Sequence, residues 1–394
     1  MDKQRVLILD GDSRQGLPFV RSLRKAGNMV TVVCPWKACP CYFSRYPNKR
    51  LIWPDINEDS GRYYDRLLEY VKGDNCDVVL ALGDVTAILV SENKDELTKY
   101  VKTPVPDYEI LRRAADKSWT MDFCMRHRIP CPKTYDPSKQ SIEDIVKETA
   151  FPVIVKPVRG VGAVGLHKFD TAEQLKKNYG ALEKKHGKLQ IQEFIPQSDT
   201  QFQAEAFCDQ NSQMKVCMVI GKPRFFPVTG GTSTCNITIE RADIVEIVRK
   251  LLEGIKWTGS ADVDLIFDPR DKTPKVLEIN PRVTAGIKIG FDAGIDYADL
   301  QMRLALGLDI PEINQYQLGK TLRNLCLDIL WYMYSGREAR KNTSPPWWKF
   351  FGKNVHYQTF RRDDPLPFLG FLLSNMKKFT KSGTWKTKLG KDVK

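Results

Sequence analysis

Phe151-Pro-Val-Ile-Val-Lys156-Pro-Val-Arg-Gly160-Val-Gly162-Ala-Val-Gly165-Leu166 is the stretch that decides how the rest of the chain is read. Three of its glycines satisfy Gly-x-Gly-x-x-Gly, which marks a dinucleotide site only where it joins a strand to a helix. Here Leu166 to Phe169 reads as a second strand, and the next helix starts only at Asp170, with Glu173 three residues after that cap. The glycines therefore lie in a loop between two strands, which makes a flap. Glycine lets such a loop press against phosphate oxygens with its amides pointing inward, and Lys156 adds positive charge just before it. An ordinary hairpin loop is the competing reading of the same residues. No Gly-x-x-x-x-Gly-Lys-Ser/Thr occurs, so a Walker-type NTPase is disfavoured.

The partner to this flap lies a hundred residues downstream. Ala261-Asp262-Val-Asp264-Leu-Ile-Phe267 and Val276-Leu-Glu278-Ile-Asn280-Pro-Arg282 are strand-like runs that carry acids among apolar residues. Residues two apart in a strand share a face. Asp262 and Asp264 thus face one way together, as do Glu278, Asn280 and Arg282. A buried carboxylate is costly unless paired or bound to metal. Two neighbouring strands presenting such oxygens suit Mg²⁺ together with nucleotide phosphates. Asp262 and Asp264 are both candidate ligands. Thr229-Gly-Gly-Thr232-Ser233-Thr234 is read either as a turn or as a substrate-holding loop.

Ahead of the flap the chain alternates strand and helix. Arg5 to Leu9, Met29 to Cys34 and Asp77 to Leu82 read as strands, and Leu17 to Ala26 and Tyr63 to Val71 as helices, which predicts an open parallel sheet. Gly11 and Gly16 lack dinucleotide spacing, so the sheet is Rossmann-like in shape only. Asp12 and Ser13 after its first strand are read as turn or cap residues. The 394 residues suit two or three packed lobes. Ten cysteines and only four histidines, with no second cysteine pair near Cys39 and Cys41, read as reduced, mostly buried thiols; zinc is the weaker alternative. No signal peptide is apparent, and the longest apolar runs are too short to span a bilayer.

Together these residues resemble the ATP-grasp superfamily over roughly residues 1–310. The resemblance is most specific at Lys156 to Gly165, at Gln190-Ile-Gln-Glu193-Phe-Ile-Pro196 and at Leu277-Glu-Ile-Asn-Pro-Arg282. It is similar above all to short proteins akin to the carbamoyl-phosphate synthase large subunit and to carboxylate–amine ligases. The implied fold is mixed, α/β and α+β. A Rossmann-like pre-ATP-grasp domain spans residues 1–106 and an ATP-grasp domain residues 107–310. The latter divides into a flap lobe at about 115–195 and an Mg/ATP lobe at about 196–310, and residues 311–394 form a basic aromatic extension. The resemblance makes Lys117 and Lys156 the phosphate-binding lysines, with Gly160, Gly162 and Gly165 as the flap. Glu193, Phe194 and Ile195 become the adenine hinge. Gln201 stands where the family usually has a ribose-binding Glu. Asp264, usually Glu, joins Glu278 and Asn280 as Mg²⁺ (or Mn²⁺) ligands, and Arg282 faces the acyl phosphate.

What this implies is an ATP-dependent ligase that activates a carboxylate as an acyl phosphate and couples it to an amine. No protein nucleophile is needed, and no convincing Ser/His/Asp or Cys/His set is present. A nucleotide-binding sensor or scaffold without turnover is one rival, and a carboxylase or phosphotransferase another; no Met-Lys-Met biotin site occurs. The +13 formal charge is concentrated at one end. From Gly336 to Lys394 there are 14 Lys+Arg against 4 Asp+Glu. Interleaved with Trp347, Trp348, Phe350, Phe351, Phe368, Phe371 and Trp385, this charge suits an anionic membrane surface, with nucleic acid disfavoured. A helix packed plainly on the body is the alternative. The expected location is the cytoplasm, peripheral at the inner membrane face. The acceptor would then be a small molecule or a lipid-linked one, in cell-surface saccharide or peptide modification. A homodimer is compatible with all of this.

Overall fold

The computed structural model describes residues 2–158, 165–196, 201–228 and 231–381. The first 80 residues form a four-stranded parallel sheet from β1 (Arg5–Ile8), β2 (Met29–Cys34), β3 (Lys49–Ile52) and β4 (Val78–Leu80), in the order β3-β2-β1-β4. β1, β2 and β4 are short, largely buried apolar runs, whereas the edge strand β3 (Lys-Arg-Leu-Ile) is not. The helix predicted after β1 runs Gly16–Lys25, one residue earlier than its apolar spacing suggests.

A second, antiparallel sheet carries the flap. It comprises β5 (Thr134–Tyr135), β6 (Val153–Pro157), β7 (His167–Phe169) and β8 (Leu189–Glu193), in the order β5-β8-β6-β7. The glycine-rich segment does join two strands, because Val153 pairs with Phe169 and Val155 with His167. Gly165 has φ +77°, and a Cβ there would lie 2.9 Å from Pro157 Cγ, so any other residue would be strained and crowded. The helix that follows begins one residue later than predicted. Thr171, not Asp170, is its cap, its hydroxyl accepting from the Gln174 amide at 3.3 Å. Thr171 is extended (φ −139°, ψ 161°), which frees its hydroxyl to turn back on the first helical turn.

The third sheet is the largest. Its strands are β9 (Gln201–Cys208), β10 (Met214–Phe226), β11 (Thr232–Ile239), β12 (Gly259–Asp268), β13 (Thr273–Asn280), β14 (Thr321–Arg323) and β15 (Val355–Tyr357), ordered β13-β12-β9-β10-β11-β14-β15. The last two come from residues set apart by composition, so the basic segment supplies one edge of the central sheet. It is also bolted to the body by charge. Arg21 from the first helix pairs with Asp364 at 2.9 Å, both 2% exposed. Arg224 on β10 and Arg323 on β14 share Asp328, which is fully buried. The helix Leu366–Lys381 lies on the short helix Pro40–Phe43, where a Cβ on Gly370 would come within 2.8 Å of the Cys39 carbonyl.

One core joins the first sheet to the third, running from Ile8, Leu17 and Phe19 to Ile220, Ile287 and Leu322. Cys34, Cys39 and Cys41 lie inside it, and all ten cysteines are free, buried or half-buried thiols. Among the described residues no helix is long and apolar enough to cross a membrane.

Candidate active site

The third sheet builds two adjacent polar rows across β9, β12 and β13. In one, Gln203, Asp264 and Glu278 stand side by side; in the other, Glu205, Asp262 and Asn280 do. The two-residue period of each strand makes this inevitable once the register is set, since Gln203/Glu205, Asp262/Asp264 and Glu278/Asn280 are each two apart. A register shift after Asp264 ends the pattern. The Asn280 amide donates to Asp262 Oδ1 at 2.6 Å and to Asp264 Oδ2 at 3.2 Å, which cross-ties the rows.

Cations close over the first row. Lys117, at the start of the helix Lys117–Arg126, places its Nζ 3.0 Å from Glu278 Oε2. Asp116 caps this helix by accepting from the Trp119 amide, and the Lys117 amide donates to the Val158 carbonyl, tying the helix to the end of β6. Lys156 projects from β6 into the same field. Burial, with Lys117 nearby, pulls its ammonium down to about 8 against the opposing pull of Glu278 and Asp264. Lys222 on β10 pairs with Asp264. Burial disfavours its charge, but Asp264 and Asp262 outweigh that and hold it above the ordinary lysine value. Arg282 follows β13 and binds Asp84 of the first lobe, Nε to Oδ2 2.7 Å. Burial again opposes the charge, and Asp84 overrides it.

Within the second row lies a buried carboxyl pair, Glu205 and Asp262. Glu205 is pushed up to about 7 by burial, even though Thr284 and Gln203 donate hydrogen bonds to it. Asp262 is raised well above the usual range by burial and by Glu205 and Asp264. Glu205 Oε2 and Asp262 Oδ2 have no hydrogen-bond partner among the described residues.

The residues expected from the sequence distribute as follows. Lys117, Lys156, Asp264, Glu278 and Asn280 are brought together, with Arg282 following the last of them. Gly165 closes the flap strand, whereas Gly160 and Gly162 lie outside the described residues, as do Thr229 and Gly230. Glu193 ends β8, with its carboxylate accepting from Arg270 at 3.0 Å and from the Lys133 amide at 2.9 Å. The Phe194 amide is taken by the Pro152 carbonyl, and Ile195 is 5% exposed. Gln201 opens β9 opposite Lys222 and Ile266. Lys222, Glu205, Gln203, Thr284 and Asp84 were not picked out from sequence. A lone Glu in Ala-Glu205-Ala-Phe and a lone Lys in Ile-Gly-Lys222-Pro were the available signals, since each interrupts an apolar strand.

The donor set fits a hard cation. Asp264 and Glu278 offer carboxylate oxygens and Asn280 an amide oxygen from two paired strands, and two carboxylate oxygens beside them, on Glu205 and Asp262, lack partners. No trio of His, Cys, Asp and Glu gathers to hold a metal among the described residues, so the set depends on the Asn280 amide oxygen.

An acid-bearing strand pair facing a lysine-preceded flap, with a parallel sheet ahead of both, is the ATP-grasp architecture. Residues 114–286 match the ATP-grasp domain model, so this part of the chain is an ATP-grasp domain. The chain is 25% identical over 311 residues to the D-aspartate ligase of Enterococcus faecium (strain Aus0004), covering 71% of this chain and 72% of that protein. Among solved structures it is similar to the biotin carboxylase domain of Hydrogenobacter thermophilus 2-oxoglutarate carboxylase, in complex with MgADP, ADP and bicarbonate. The TM-score is 0.68 at 13% identity, over 82% of this chain and 74% of that one. The L-amino acid ligase of Bacillus licheniformis gives a TM-score of 0.60 at 17% identity, over 81% and 78%. These two likenesses are of fold.

Proposed function

We propose that this chain is an ATP-dependent ligase that activates a carboxylate as an acyl phosphate, joins it to an amine and releases ADP and phosphate. The observation that carries this reading is the convergence of Lys117, Lys156 and Lys222 on the Asp264–Glu278 row, with Arg282 held beside it by Asp84. A site for anionic substrates needs such cations, because a carboxylate and a polyphosphate repel each other. Mg²⁺ held by Asp264, Glu278 and Asn280 would neutralise phosphate charge. Lys117 and Lys222 are already engaged with those carboxylates, so they move onto phosphate oxygens when nucleotide and metal arrive. Lys156, depressed by burial, regains its proton affinity beside phosphate. The flap from Lys156 to Gly165 excludes water from the acyl phosphate. Arg282 stabilises the oxyanion formed as the amine attacks. Glu193, Phe194 and Ile195 are taken as the adenine edge and Gln201 as the ribose contact. In this reading residues 1–106 and 107–310 are the two working domains, and 311–394 an extension bonded to both.

The similarity to a D-aspartate ligase supports an amino acid as one substrate; an acceptor in cell-surface peptide or saccharide modification is part of the same proposal. The extension supports an approach to the inner membrane face. Leu366, Leu369, Leu373 and Met376 are 57%, 46%, 37% and 65% exposed and recur at helical spacing along one face, with Trp348 at 73% and Phe351 at 85% exposed elsewhere in the same extension. ADP release measured over a panel of amino acids and amine acceptors, with mass analysis of products, tests the function. Release that needs carboxylate, amine and Mg²⁺ together supports it, and nucleotide binding without turnover across the panel would leave a sensor.

A further inference from the structure

Between the turn after β1 and the last described helix lies a cavity of about 280 Å³. Its walls come from both ends of the sequence. Arg14 enters from the turn after β1. Five phenylalanines, Phe350, Phe351, Phe360, Phe368 and Phe371, come from the extension, and no aspartate or glutamate lines the space. The Arg14 guanidinium stands 5.5 Å from the Phe371 ring and donates to Gln358 Oε1, a neutral acceptor. Arg323, the other cation on the wall, is already neutralised by Asp328. Among the described residues no carboxylate lies within ion-pair reach of Arg14, and burial pulls its basicity down to about 10. Leu325 and Cys326, the first residues of the helix Leu325–Tyr334, also line the cavity, so the positive end of a ten-residue helix adjoins the same space.

A half-buried guanidinium without a counter-charge is disfavoured, and aromatic walls favour apolar surface. We propose that this cavity binds an anionic amphiphile: an aromatic or alkyl group bearing a carboxylate or a phosphate ester. Its charge meets Arg14 and its apolar part lies among the phenylalanines. The placement agrees with the general habit of open α/β sheets, because Arg14 follows the carboxyl end of β1, where ligands collect. Four strand spacings separate β14, which carries Arg323, from β12, which carries Asp264. At about 4.8 Å each that is roughly 19 Å, so the cavity is a subsite apart from the carboxylate rows. The proposal stands whether or not the ligase reading does.

The anion could be a soluble acid or the head of a membrane lipid, and one set of titrations separates them. The full-length chain is titrated calorimetrically with monomeric decyl phosphate, decanoate, decylammonium and inorganic phosphate, and by co-sedimentation with phosphatidylglycerol vesicles. The two amphiphilic anions are expected to bind at least tenfold more tightly than decylammonium or inorganic phosphate. Arg14→Met weakens them at least tenfold, Arg14→Lys retains most of the binding, and ATP binding is unchanged in both, which confirms folding. Vesicle binding that also falls in Arg14→Met assigns the site to a lipid head; vesicle binding that is unchanged while decyl phosphate is lost assigns it to a soluble acid. Equal binding of decylammonium, equal binding of inorganic phosphate, vesicle binding with no monomer binding, or full affinity in Arg14→Met would each overturn the proposal. A chain that released no ADP yet bound decyl phosphate through Arg14 would sink the ligase reading and leave this one standing.

Discussion

Replacing Asp328 by alanine should unfold the chain more readily than almost any other single truncation. The carboxylate is fully buried and serves donors from three residues. Arg224 Nε and Nη2 reach it at 2.8 and 3.2 Å, Arg323 Nε at 2.7 Å, and the Thr234 hydroxyl at 2.8 Å. Both arginines are themselves at most 1% exposed. After Asp328→Ala, Arg224 keeps Thr343 and the Pro345 carbonyl and Arg323 keeps the Lys349 carbonyl, but neither keeps a counter-charge. Removing one partner of a buried pair costs about 3–5 kcal/mol, and the stranded Thr234 hydroxyl adds to that. We expect a loss of about 4 kcal/mol, close to a thousandfold in the folding equilibrium. Urea unfolding followed by tryptophan fluorescence measures it. The surface pair of half-buried Arg241 and exposed Asp243 is the control, and Asp243→Ala should cost less than about 1 kcal/mol. If Asp328→Ala lost no more than that control, the extension would not be anchored through this carboxylate.

Further outcomes follow from the site. Lys156 is depressed to about 8 in the free chain, so its charged form is disfavoured by folding and chain stability rises as pH increases from about 8 toward the ordinary lysine value. Nucleotide binding needs the charged form, so ATP affinity measured by calorimetry falls toward roughly tenfold per pH unit above 8, and Lys156→Met shows a flat profile. Asp84 acts through Arg282 as a positioning residue. Asp84→Asn should lower kcat roughly ten- to a hundredfold with the Kd for ATP nearly unchanged, and Asp84→Glu should restore part of it. The apolar stripe on the last described helix should govern vesicle binding. Leu369→Asp with Met376→Asp is expected to abolish co-sedimentation with anionic vesicles while ADP release from soluble substrates persists.

Much of the site was legible because its signals are local. Lys156 and the glycines after it form one loop, and Glu278 and Asn280 sit two apart on one strand. Asp264 could be paired with them because acids in apolar strands seek each other or a metal. The parts that were not legible depend on contacts far apart in sequence. Arg282 meets Asp84 across nearly 200 residues, and Lys222 meets Asp264 only because β9 lies between their strands. The carboxyl pair of Glu205 and Asp262 needs the register of β9 against β12, which no single segment encodes. Thr171 displaced Asp170 as a cap because both residue types serve, and backbone geometry chooses between them. The last segment differs in composition from Leu318 onward, but its role at the sheet edge was not visible, since Thr321–Arg323 and Val355–Tyr357 are three-residue strands without a period to read.

The most direct measurement is ADP release by the purified chain with ATP, Mg²⁺, an amino acid and an amine acceptor, compared with Glu278→Ala. The account predicts turnover that requires all four components and falls by at least a hundredfold in the variant, because Glu278 is both the Lys117 partner and an oxygen donor of the row. Unchanged turnover in Glu278→Ala, or a wild-type chain that binds no ATP, would contradict it.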